Sequence, residues 1–430
     1  MDGFSSGSPW APTHAHVRAI GLALVGALVA VIGRRADVVI LAVPFVGAAA
    51  WGALHRPRAA PVARLAVADP TVFEGQITTA LVAVDGGETG DVVATCLDAG
   101  PWVRWRPRSG ATAVTSGGPH IVVATTMRAV RWGRHPVSLA AVACTSRLGA
   151  YRTEGLRDGP VMLTTLPLGA EFDAVDAMPR PAGLVGLHRA NRQGSGSEPA
   201  EVRPFRTGDR LRRINWRVSS RTGSLHVTST WSDRDTHVLL LLDTEADIGR
   251  SDGVDGRASS LDIAVRAAAA VAEHFLRAGD RVGLIDLGRR VRDVPVGGGR
   301  RHLRRVLDAL VVAEAGANHH AEPVHVRPTG AGALVVALTP LVGRSGQSQI
   351  AHLVQRGLTV VVVDTMPDEV DRPPSPWTAL AARVRAMERA VDIDHLGELG
   401  VPVVRWRGRG TLDEVLRDVS RLALAPRVRR

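Results

Sequence analysis

Residues 237–243 read HVLLLLD, a continuous apolar run that ends in the carboxylate of Asp243. A run of this length without alternation is typical of a parallel strand that is buried on both faces. Comparable apolar runs follow toward the C-terminus at residues 282–287, 333–338, 358–364 and 401–406. The recurring runs predict a parallel β-sheet in the last part of the chain.

Helical segments alternate with these strands. The first begins after Ser259, with Asp262 three residues later as in a capping box, and it stops at Gly279. The fourth has Ser375 at the N-cap and Pro376 at its first position. The predicted helices cover residues 261–278, 301–311, 348–355 and 376–391, and a closing helix begins at residue 411. The alternation predicts an α/β domain over residues 237–430, with helices on both faces of the sheet.

Asp243 is the first candidate for a functional site, because ligands in such sheets bind at the carboxyl ends of strands. Glu245 and Asp247 follow it closely, and carboxylate oxygens are ligands for magnesium or calcium. A metal-dependent hydrolase that acts at Asp243 is therefore one hypothesis. It ranks last, because no histidine stands at a spacing that suggests a ligand or a general base. We expect no catalytic residue and no cofactor.

The stretch before this domain, residues 203–227, reads RPFRTGDRLRRINWRVSSRTGSLHV. Gly208 and Asp209 suit a tight turn, and Trp216 is expected to anchor the segment against the next domain. Three arginines of this stretch are expected to pair with nearby aspartates. The arginines are Arg206, Arg213 and Arg221, and the aspartates are Asp209, Asp233 and Asp235. Two interpretations stay open: a structural brace, which is favoured, and a docking surface for a protein partner.

The same stretch resembles the family known as domain of unknown function 58. The matching segments are residues 194–198 (GSGSE), 203–209 (RPFRTGD), 213–216 (RINW) and 220–223 (SRTG). Pro199 stands where the family usually has an aromatic residue, and Asn215 stands where Asp is common. The resemblance identifies a signature segment over residues 203–236. Its protein-binding or structural residues are Arg206, Gly208, Asp209, Arg213, Asn215, Trp216, Arg221 and Gly223.

The resemblance also implies that the α/β domain is similar to von Willebrand factor A domains. Such domains hold a divalent metal after the first strand through an Asp-x-Ser-x-Ser motif, but residues 243–247 here read DTEAD. Both serines are replaced by carboxylates, and Thr339 follows the third strand where Asp is expected. We therefore expect a degenerate site in which metal binding is lost, with magnesium as the alternative. Its remaining candidates are Asp243, Glu245 and Asp247.

A protein partner is the last implication of the resemblance. Members of the family often accompany MoxR-type AAA+ ATPases and act as adaptors in the assembly or maturation of complexes. No Walker motif occurs in this chain, which agrees with a partner that supplies any ATP hydrolysis. The expected function is a membrane-anchored scaffold or adaptor without enzymatic activity.

The middle of the chain, residues 60–175, contains short alternating runs that are separated by Gly- and Pro-rich turns. Clear examples lie at residues 77–84, 92–97, 120–126 and 137–143. This pattern predicts an all-β, antiparallel sandwich of immunoglobulin-like type. Residues 176–202 are rich in Pro, Gly and Ser, which predicts a linker.

Two apolar runs near the N-terminus, residues 19–32 and 38–54, flank a short turn with Arg34 and Arg35. They predict a transmembrane helical hairpin over residues 17–56, after a disordered N-terminus at 1–16. Trp10 and Trp51 are expected at the membrane interface. Four arginines flank the open end of the hairpin, namely Arg18, Arg56, Arg58 and Arg64. The positive-inside rule therefore places both termini and the bulk of the chain in the cytoplasm, with two spans in the cell membrane.

The basic residues do not indicate a nucleic-acid partner. All 53 are arginine, and the formal net charge is +11, but they are spread along the chain and aromatic residues make up only 4%. Cys96 and Cys144 lack the spacing of zinc ligands. Reduced cysteines are expected in the cytoplasm. The alternative hypothesis is an extracytoplasmic, adhesion-like binding protein with a Cys96–Cys144 disulfide.

Overall fold

A computed structural model describes residues 10–153, 155–168, 193–206, 211, 214–231, 237–288, 293–316, 333–370, 375–408 and 411. The chain divides into two compact units, residues 1–166 and 167–430. Each unit is described by itself.

The first unit begins with two helices, α1 (His14–Gly33) and α2 (Ala36–Leu54), which pack against each other. Both helices are long and apolar enough to cross a membrane, with mean hydropathies of 2.1 and 1.9. Only 17% of the apolar segment of α1 and 11% of that of α2 are buried within the protein, whereas a core helix of a soluble domain is mostly covered. Arg34 takes a left-handed conformation (φ 51°) between the helices and so reverses the chain.

The rest of this unit is built from strands. They are β1 (Ala11–Pro12), β2 (Val62–Val67), β3 (Thr71–Phe73), β4 (Ile77–Asp85), β5 (Val92–Asp98), β6 (Val103–Arg106), β7 (Ala111–Thr115), β8 (His120–Ala129), β9 (Gly133–Thr145), β10 (Tyr151–Arg152) and β11 (Val161–Leu166). One sheet has the order β2-β4-β8-β6. In the other, β1, β10, β9, β11 and β3 are neighbours in that order, and β5 pairs with β9 and β7.

The two sheets of this unit form a sandwich around one core. Val82 and Met127 of the first sheet and Val137 and Leu163 of the second belong to the same buried cluster. Pairing is antiparallel except between β3 and β11, which are parallel. The four predicted strands correspond to β4, β5, β8 and β9, and the prediction of a β-rich middle domain is confirmed.

The first described residues belong to this sandwich, so the expectation of disorder through residue 16 is wrong from residue 10 onward. Trp10 is buried in the core, and its Nε1 donates to the carbonyl of Ala59 at 2.7 Å. The strand β1 pairs with β10, and Thr13 caps α1. A buried indole with a satisfied N–H fixes this segment, and it also removes Trp10 from the predicted membrane interface.

The two cysteines do not form the disulfide of the alternative hypothesis. In the pairing of β5 with β9, Cys144 lies opposite Val93 and Cys96 lies opposite Ala141. An offset of three positions is about 10 Å along a strand, beyond the reach of a disulfide. Cys144 is also buried while Cys96 is partly exposed, and both are free. Burial raises the pKa of the Cys144 thiol above its ordinary value.

The second unit contains a six-stranded sheet. Its strands are β14 (His237–Leu242), β15 (Arg281–Asp286), β16 (Val294–Gly297), β17 (Leu334–Thr339), β18 (Thr359–Asp364) and β19 (Val403–Arg405), in the order β16-β15-β14-β17-β18-β19. Neighbours are parallel except β15 and β16. The sheet is therefore mixed, which corrects the parallel prediction. The run VPVG of β16 is too short to show a period, and this explains why sequence patterning missed it.

Helices cover both faces of this sheet, as predicted. They are α4 (Ser260–Arg277), α5 (Arg300–Leu310), α6 (Arg344–Gln355) and α7 (Pro376–Glu398). Leu239 and Leu241 share a core with Ile350, Leu353 and Leu396 of α6 and α7. The alternate side chains of β14 face the side on which α4 packs. The predicted capping box of Ser259 and Asp262 is confirmed at the start of α4.

A strand–helix–strand motif precedes this sheet in the chain. It consists of β12 (Gln193–Pro204), α3 (Trp216–Thr222) and β13 (His226–Trp231), and β12 pairs antiparallel with β13. Residues 193–202, predicted as linker, are thus part of a strand. The pairing shifts register between Gly194 and Pro199, and again between Pro199 and Glu201. Gly and Pro at irregular register positions are typical of bulges, and this composition made the strand look like a linker.

Gly52 of α2 lies against a buried histidine of α1. His16 is 7% exposed, and the centroid of its ring lies 5.4 Å from that of the Tyr151 ring. A Cβ added at Gly52 would overlap this imidazole, whereas one added at Gly47 would meet open space.

We expect Gly52→Ala to destabilise the first unit by about 1–3 kcal/mol, because the methyl group forces the His16 ring out of its position. Thermal unfolding of the detergent-solubilised chain measures the effect. Gly47→Ala in the same helix is the control and should leave the midpoint nearly unchanged. Equal midpoints for the two variants would contradict this account of the packing.

Candidate functional site

Four neighbouring strands of the second unit end at one edge of the sheet in a polar side chain. Asp286 ends β15, Asp243 follows β14, Thr339 ends β17 and Asp364 ends β18. Each is at most 5% exposed. The chain leaves β14 toward β15 on one side and later returns to β17 on its other side. The carboxyl edge between β14 and β17 is therefore the topological switch point, where ligands of such sheets bind.

Each of the four side chains caps the turn that follows its own strand. An oxygen of each accepts a hydrogen bond from the backbone N–H two residues later. The distances are 3.1 Å from Glu245 N to Asp243, 3.0 Å from Gly288 N to Asp286, 3.0 Å from Leu341 N to Thr339 and 2.9 Å from Met366 N to Asp364. Asp and Thr commonly stabilise turns in this way. The recurring polar residue at the strand end thus has a local structural role.

Asp243 and Thr339 also bond to each other across the switch point. The Thr339 hydroxyl donates to Asp243 Oδ2 at 2.6 Å, and both groups are buried. Burial raises the pKa of the Asp243 carboxyl above its ordinary value, although the bonds from Thr339 and Glu245 N oppose the rise. The charges of Glu245 and Asp286 add to it. A Cβ added at Gly346 in the first turn of α6 would lie 3.4 Å from Asp243 Oδ2, so this carboxylate is closely covered.

The two flanking carboxylates have side-chain partners of their own, a hydroxyl donor for Asp286 and an ion pair for Asp364. The Thr244 hydroxyl donates to Asp286 Oδ1. Arg389 of α7 places Nη2 2.5 Å from Asp364 Oδ1, and its Nε donates to the carbonyl of Pro340 at 3.1 Å. A buried carboxylate with a cation and a backbone donor is well compensated.

The loop after β17 is held in an uncommon conformation. Leu341 is buried and has a φ of 55°, in the left-handed region that a branched side chain seldom adopts. Arg385 and Arg389 of α7 donate to the carbonyls of Val342 and Pro340 on either side of it. These contacts from α7 fix the loop over the switch point.

The three predicted metal candidates point to different partners. Asp243 is bonded to Thr339, while Asp247 Oδ1 accepts from Leu261 N at 3.0 Å and from the Ser260 hydroxyl at 3.3 Å. Asp247 therefore caps the N-terminus of α4. Glu245 is partly exposed. Within the described ranges, no group of three His, Cys, Asp or Glu side chains is arranged to hold a metal ion.

The signature residues that the structure describes divide into framework and surface. Asn215 is the N-cap of α3: its Oδ1 accepts from Val218 N at 3.2 Å, and its Nδ2 donates to Thr228 Oγ1 at 3.2 Å. Gly223 ends α3 with a φ of 70°. Arg206 and Arg221 are exposed. Gly208, Asp209 and Arg213, and with them the predicted ion pairs to Asp209, Asp233 and Asp235, lie outside the described residues.

Trp216 differs from its prediction. It was expected to anchor the segment by burial, but its side chain is 68% exposed. Leu211 is also 68% exposed and Leu225 is 45% exposed, so the short motif shows three large apolar side chains to solvent. Asn215 caps α3, and Trp216 is the first residue of this helix. The cap thereby fixes the direction in which the indole points, which is toward solvent. We call these three residues, Leu211, Trp216 and Leu225, the signature patch.

Comparison with known proteins places this part of the chain. Residues 201–395 match the family model described as protein of unknown function DUF58. This region is similar to the DUF58 family.

Two curated mycobacterial proteins are similar to part of the chain. Uncharacterized protein Rv1480 of Mycobacterium tuberculosis and uncharacterized protein Mb1516 of Mycobacterium bovis are each 35% identical over 128 residues. The match covers 30% of this chain and 39% of each relative, so the chain spans about two fifths of their length.

Solved structures resemble the chain only weakly. A cohesin module from a Clostridium perfringens family 33 glycoside hydrolase is 11% identical, with a TM-score of 0.20, over 26% of this chain and 100% of the module. The cupredoxin domain of amoB from Nitrosocaldus yellowstonii is 9% identical, with a TM-score of 0.18, over 28% of this chain and 96% of that domain. At these scores neither likeness supports an argument about function.

Sequence reasoning found Asp243 and noted Thr339 after the third strand, but it missed Asp286 and Asp364 at the ends of the neighbouring strands. The signal was present, since the apolar runs of β15 and β18 end in Asp286 and Asp364 as β14 ends before Asp243. The pairing of Asp364 with Arg389 carries no local signal, because 25 residues and a helix surface separate them.

We expect Asp243→Asn to reduce the pH dependence of stability of the DUF58 region. The folded state raises the pKa of this carboxyl above its ordinary value of 3.8, so it retains the proton to a higher pH than the unfolded chain. The free energy of unfolding therefore falls as pH rises from about 3.8 through the folded pKa. The neutral amide removes this loss, and the variant should be at least as stable as the wild type at pH 7.

Denaturant-induced unfolding of the full chain in detergent, repeated from pH 4 to pH 8, measures this dependence. Thr339→Val is the companion variant, because loss of the hydroxyl removes a donor to Asp243 and should steepen the fall. Parallel pH profiles for the wild type and Asp243→Asn would show that this carboxyl is not responsible.

Proposed function

We propose that this protein is a membrane-anchored scaffold or adaptor without enzymatic activity, and that its DUF58 region binds a protein partner. The observation that carries the proposal is the outward position of Trp216 on a helix that Asn215 caps. Tryptophan is the side chain most enriched at interface hot spots, and arginine is also enriched there. Arg217 and Arg221 of the same helix are exposed beside it.

The state of the switch point supports a non-enzymatic role. Catalytic carboxylates need an open position for substrate, water or metal. Here Asp243, Asp286 and Asp364 accept hydrogen bonds from the protein itself, and Asp247 caps α4. We infer that the α/β domain is of von Willebrand A type with a degenerate metal site. Magnesium binding in the micromolar range, abolished by Asp243→Ala in calorimetry of the solubilised chain, would overturn this part of the proposal and favour the hydrolase hypothesis.

The proposed partner is a MoxR-type AAA+ ATPase. Support for it comes from the signature segment and its family resemblance, together with the surface chemistry of the signature patch. An adaptor of this kind acts in the assembly or maturation of complexes, with ATP hydrolysis supplied by the partner.

The proposed location is the cell membrane, with α1 and α2 as two spans and the bulk of the chain in the cytoplasm. The exposed apolar surface of both helices and the arginines at the open end of the hairpin support it. No observation favours the extracytoplasmic alternative, since its disulfide is not compatible with the strand register.

We expect Trp216→Ala to weaken capture of a purified MoxR-type AAA+ ATPase from the same organism by at least about tenfold, because an exposed aromatic anchor is lost. Pull-down on the detergent-solubilised chain measures the affinity. Leu148→Ala is the control, since Leu148 is 75% exposed on the β-sandwich. Thermal unfolding should be unchanged for both variants. Equal capture by Trp216→Ala and the wild type would contradict a docking role for the signature patch.

Membrane topology is tested separately. In a Cys96→Ser background, we expect Arg35→Cys to react with a membrane-impermeant maleimide on intact cells. The reason is that the turn between α1 and α2 lies outside the cell when both termini are in the cytoplasm. Leu148→Cys should react only after the cells are opened. The reverse pattern would place the bulk of the chain outside the cytoplasm.

A further inference from the structure

The helix α7 presents a row of large apolar side chains to solvent. The five residues and their exposed fractions are Trp377 (73%), Leu380 (56%), Val384 (48%), Met387 (64%) and Val391 (66%). Soluble surfaces usually carry such side chains singly, and a continuous row marks an interaction surface. We call this row the α7 seam.

The spacing of the α7 seam is that of a coiled coil. Steps of three, four, three and four residues place its members at alternating a and d positions of a heptad. The residues on the opposite face of the helix are Ala382, Arg389 and Leu396. Ala382 and Arg389 are half-buried, and Leu396 is buried. The helix is thus held to its own domain by one face, and the seam points away from that domain.

The residue types of the seam favour two parallel helices. Val384 and Val391 occupy a positions, and Leu380 occupies a d position. β-Branched residues at a with leucine at d favour two-stranded parallel coiled coils. Trp377 and Met387 fill the remaining a and d positions with larger, adaptable apolar surface.

The charges beside the seam are complementary to those of a second copy. Arg383 occupies a g position and Glu388 the following e position, and in a parallel pair g of one helix meets the next e of the other. An antiparallel pair would instead place Arg383 and Glu388 opposite alanines, Ala390 and Ala381. Glu388 also bonds to Arg385 at 2.9 Å on its own helix, and its side chain remains 55% exposed.

We propose that the α7 seam is the contact surface between two copies of this chain, whose α7 helices pair in parallel and in register. The seam spans only about two heptads, which would be marginal for free peptides. In this protein α7 is already folded on its domain, so its helical order is formed before association. Anchoring two copies in one membrane would raise their effective concentration further. The proposal does not depend on the partner proposed above.

Site-specific disulfide formation in the full chain tests the pairing. In a Cys96→Ser background, Val384→Cys should give a disulfide-linked dimer on mild oxidation, because a residues face their own symmetry mates in a parallel pair. Ala386→Cys is the matched control: it is exposed two residues away at a c position and should remain monomeric.

A charge exchange tests the register. Arg383→Glu places a negative charge opposite Glu388 of the other copy, and this happens at both of the symmetry-related contacts. The cross-linked fraction of Val384→Cys should therefore fall by about fivefold. Adding Glu388→Arg restores opposite charges and should restore cross-linking. A structural defect caused by either substitution would not be repaired by the second.

Three results would overturn the proposal. Cross-linking of Val384→Cys only to Met387→Cys would show an antiparallel pair. Maleimide protection of the Val384→Cys variant that is lost when residues 412–430 are deleted would show that the chain's own C-terminal segment covers the seam. Protection that requires vesicles of anionic lipid, without dimer formation, would show that the seam contacts a membrane.

Discussion

The hydrogen bond from Thr339 to Asp243 is the interaction on which the functional edge of the DUF58 region depends. It joins the ends of β14 and β17 across the switch point, where a doubly covered sheet normally leaves a crevice for a ligand. A carboxylate buried there without donors would be unfavourable, and the raised pKa of Asp243 shows that burial still outweighs its two hydrogen bonds. Asp286 and Asp364 have comparable donors, so the protein itself occupies the polar groups of this edge.

The polar groups of this edge are paired within the protein, whereas many large apolar side chains elsewhere in the chain are exposed. Three groups of them lie on the N-terminal helices, in the signature patch and along the α7 seam. Exposed apolar area is unfavourable in water, so each surface indicates a different neighbour. The helices suit lipid, the signature patch suits a protein partner and the seam suits a second copy. The closed site and these three exposed surfaces are the basis of the proposed scaffold or adaptor role.

Local patterns predicted the elements well, because their causes are local. The run HVLLLLD gave β14 to within one residue, and Ser259 with Asp262 gave the start of α4. The predictions differed where a distant contact decides the outcome. Trp10 is ordered by a carbonyl 49 residues away, and β12 exists through pairing with β13 despite its Gly and Pro. Trp216 was expected inside because of its size, but a residue's size does not reveal which side of a short helix meets solvent.

Two apolar N-terminal helices, a β-rich middle and an α/β region with a DUF58 signature can all be predicted from the sequence, since period, caps and spacing encode those features directly. It also placed Asp243 at the end of a buried strand. The partners of this carboxylate and the exposure of the apolar side chains depend instead on how the chain packs in three dimensions. Thr339 lies 96 residues away from Asp243. The direction of α7 is set by the bonds of Arg385 and Arg389 to the loop after β17 and by the burial of Leu396. Such contacts depend on how distant segments pack, and no local pattern specifies them.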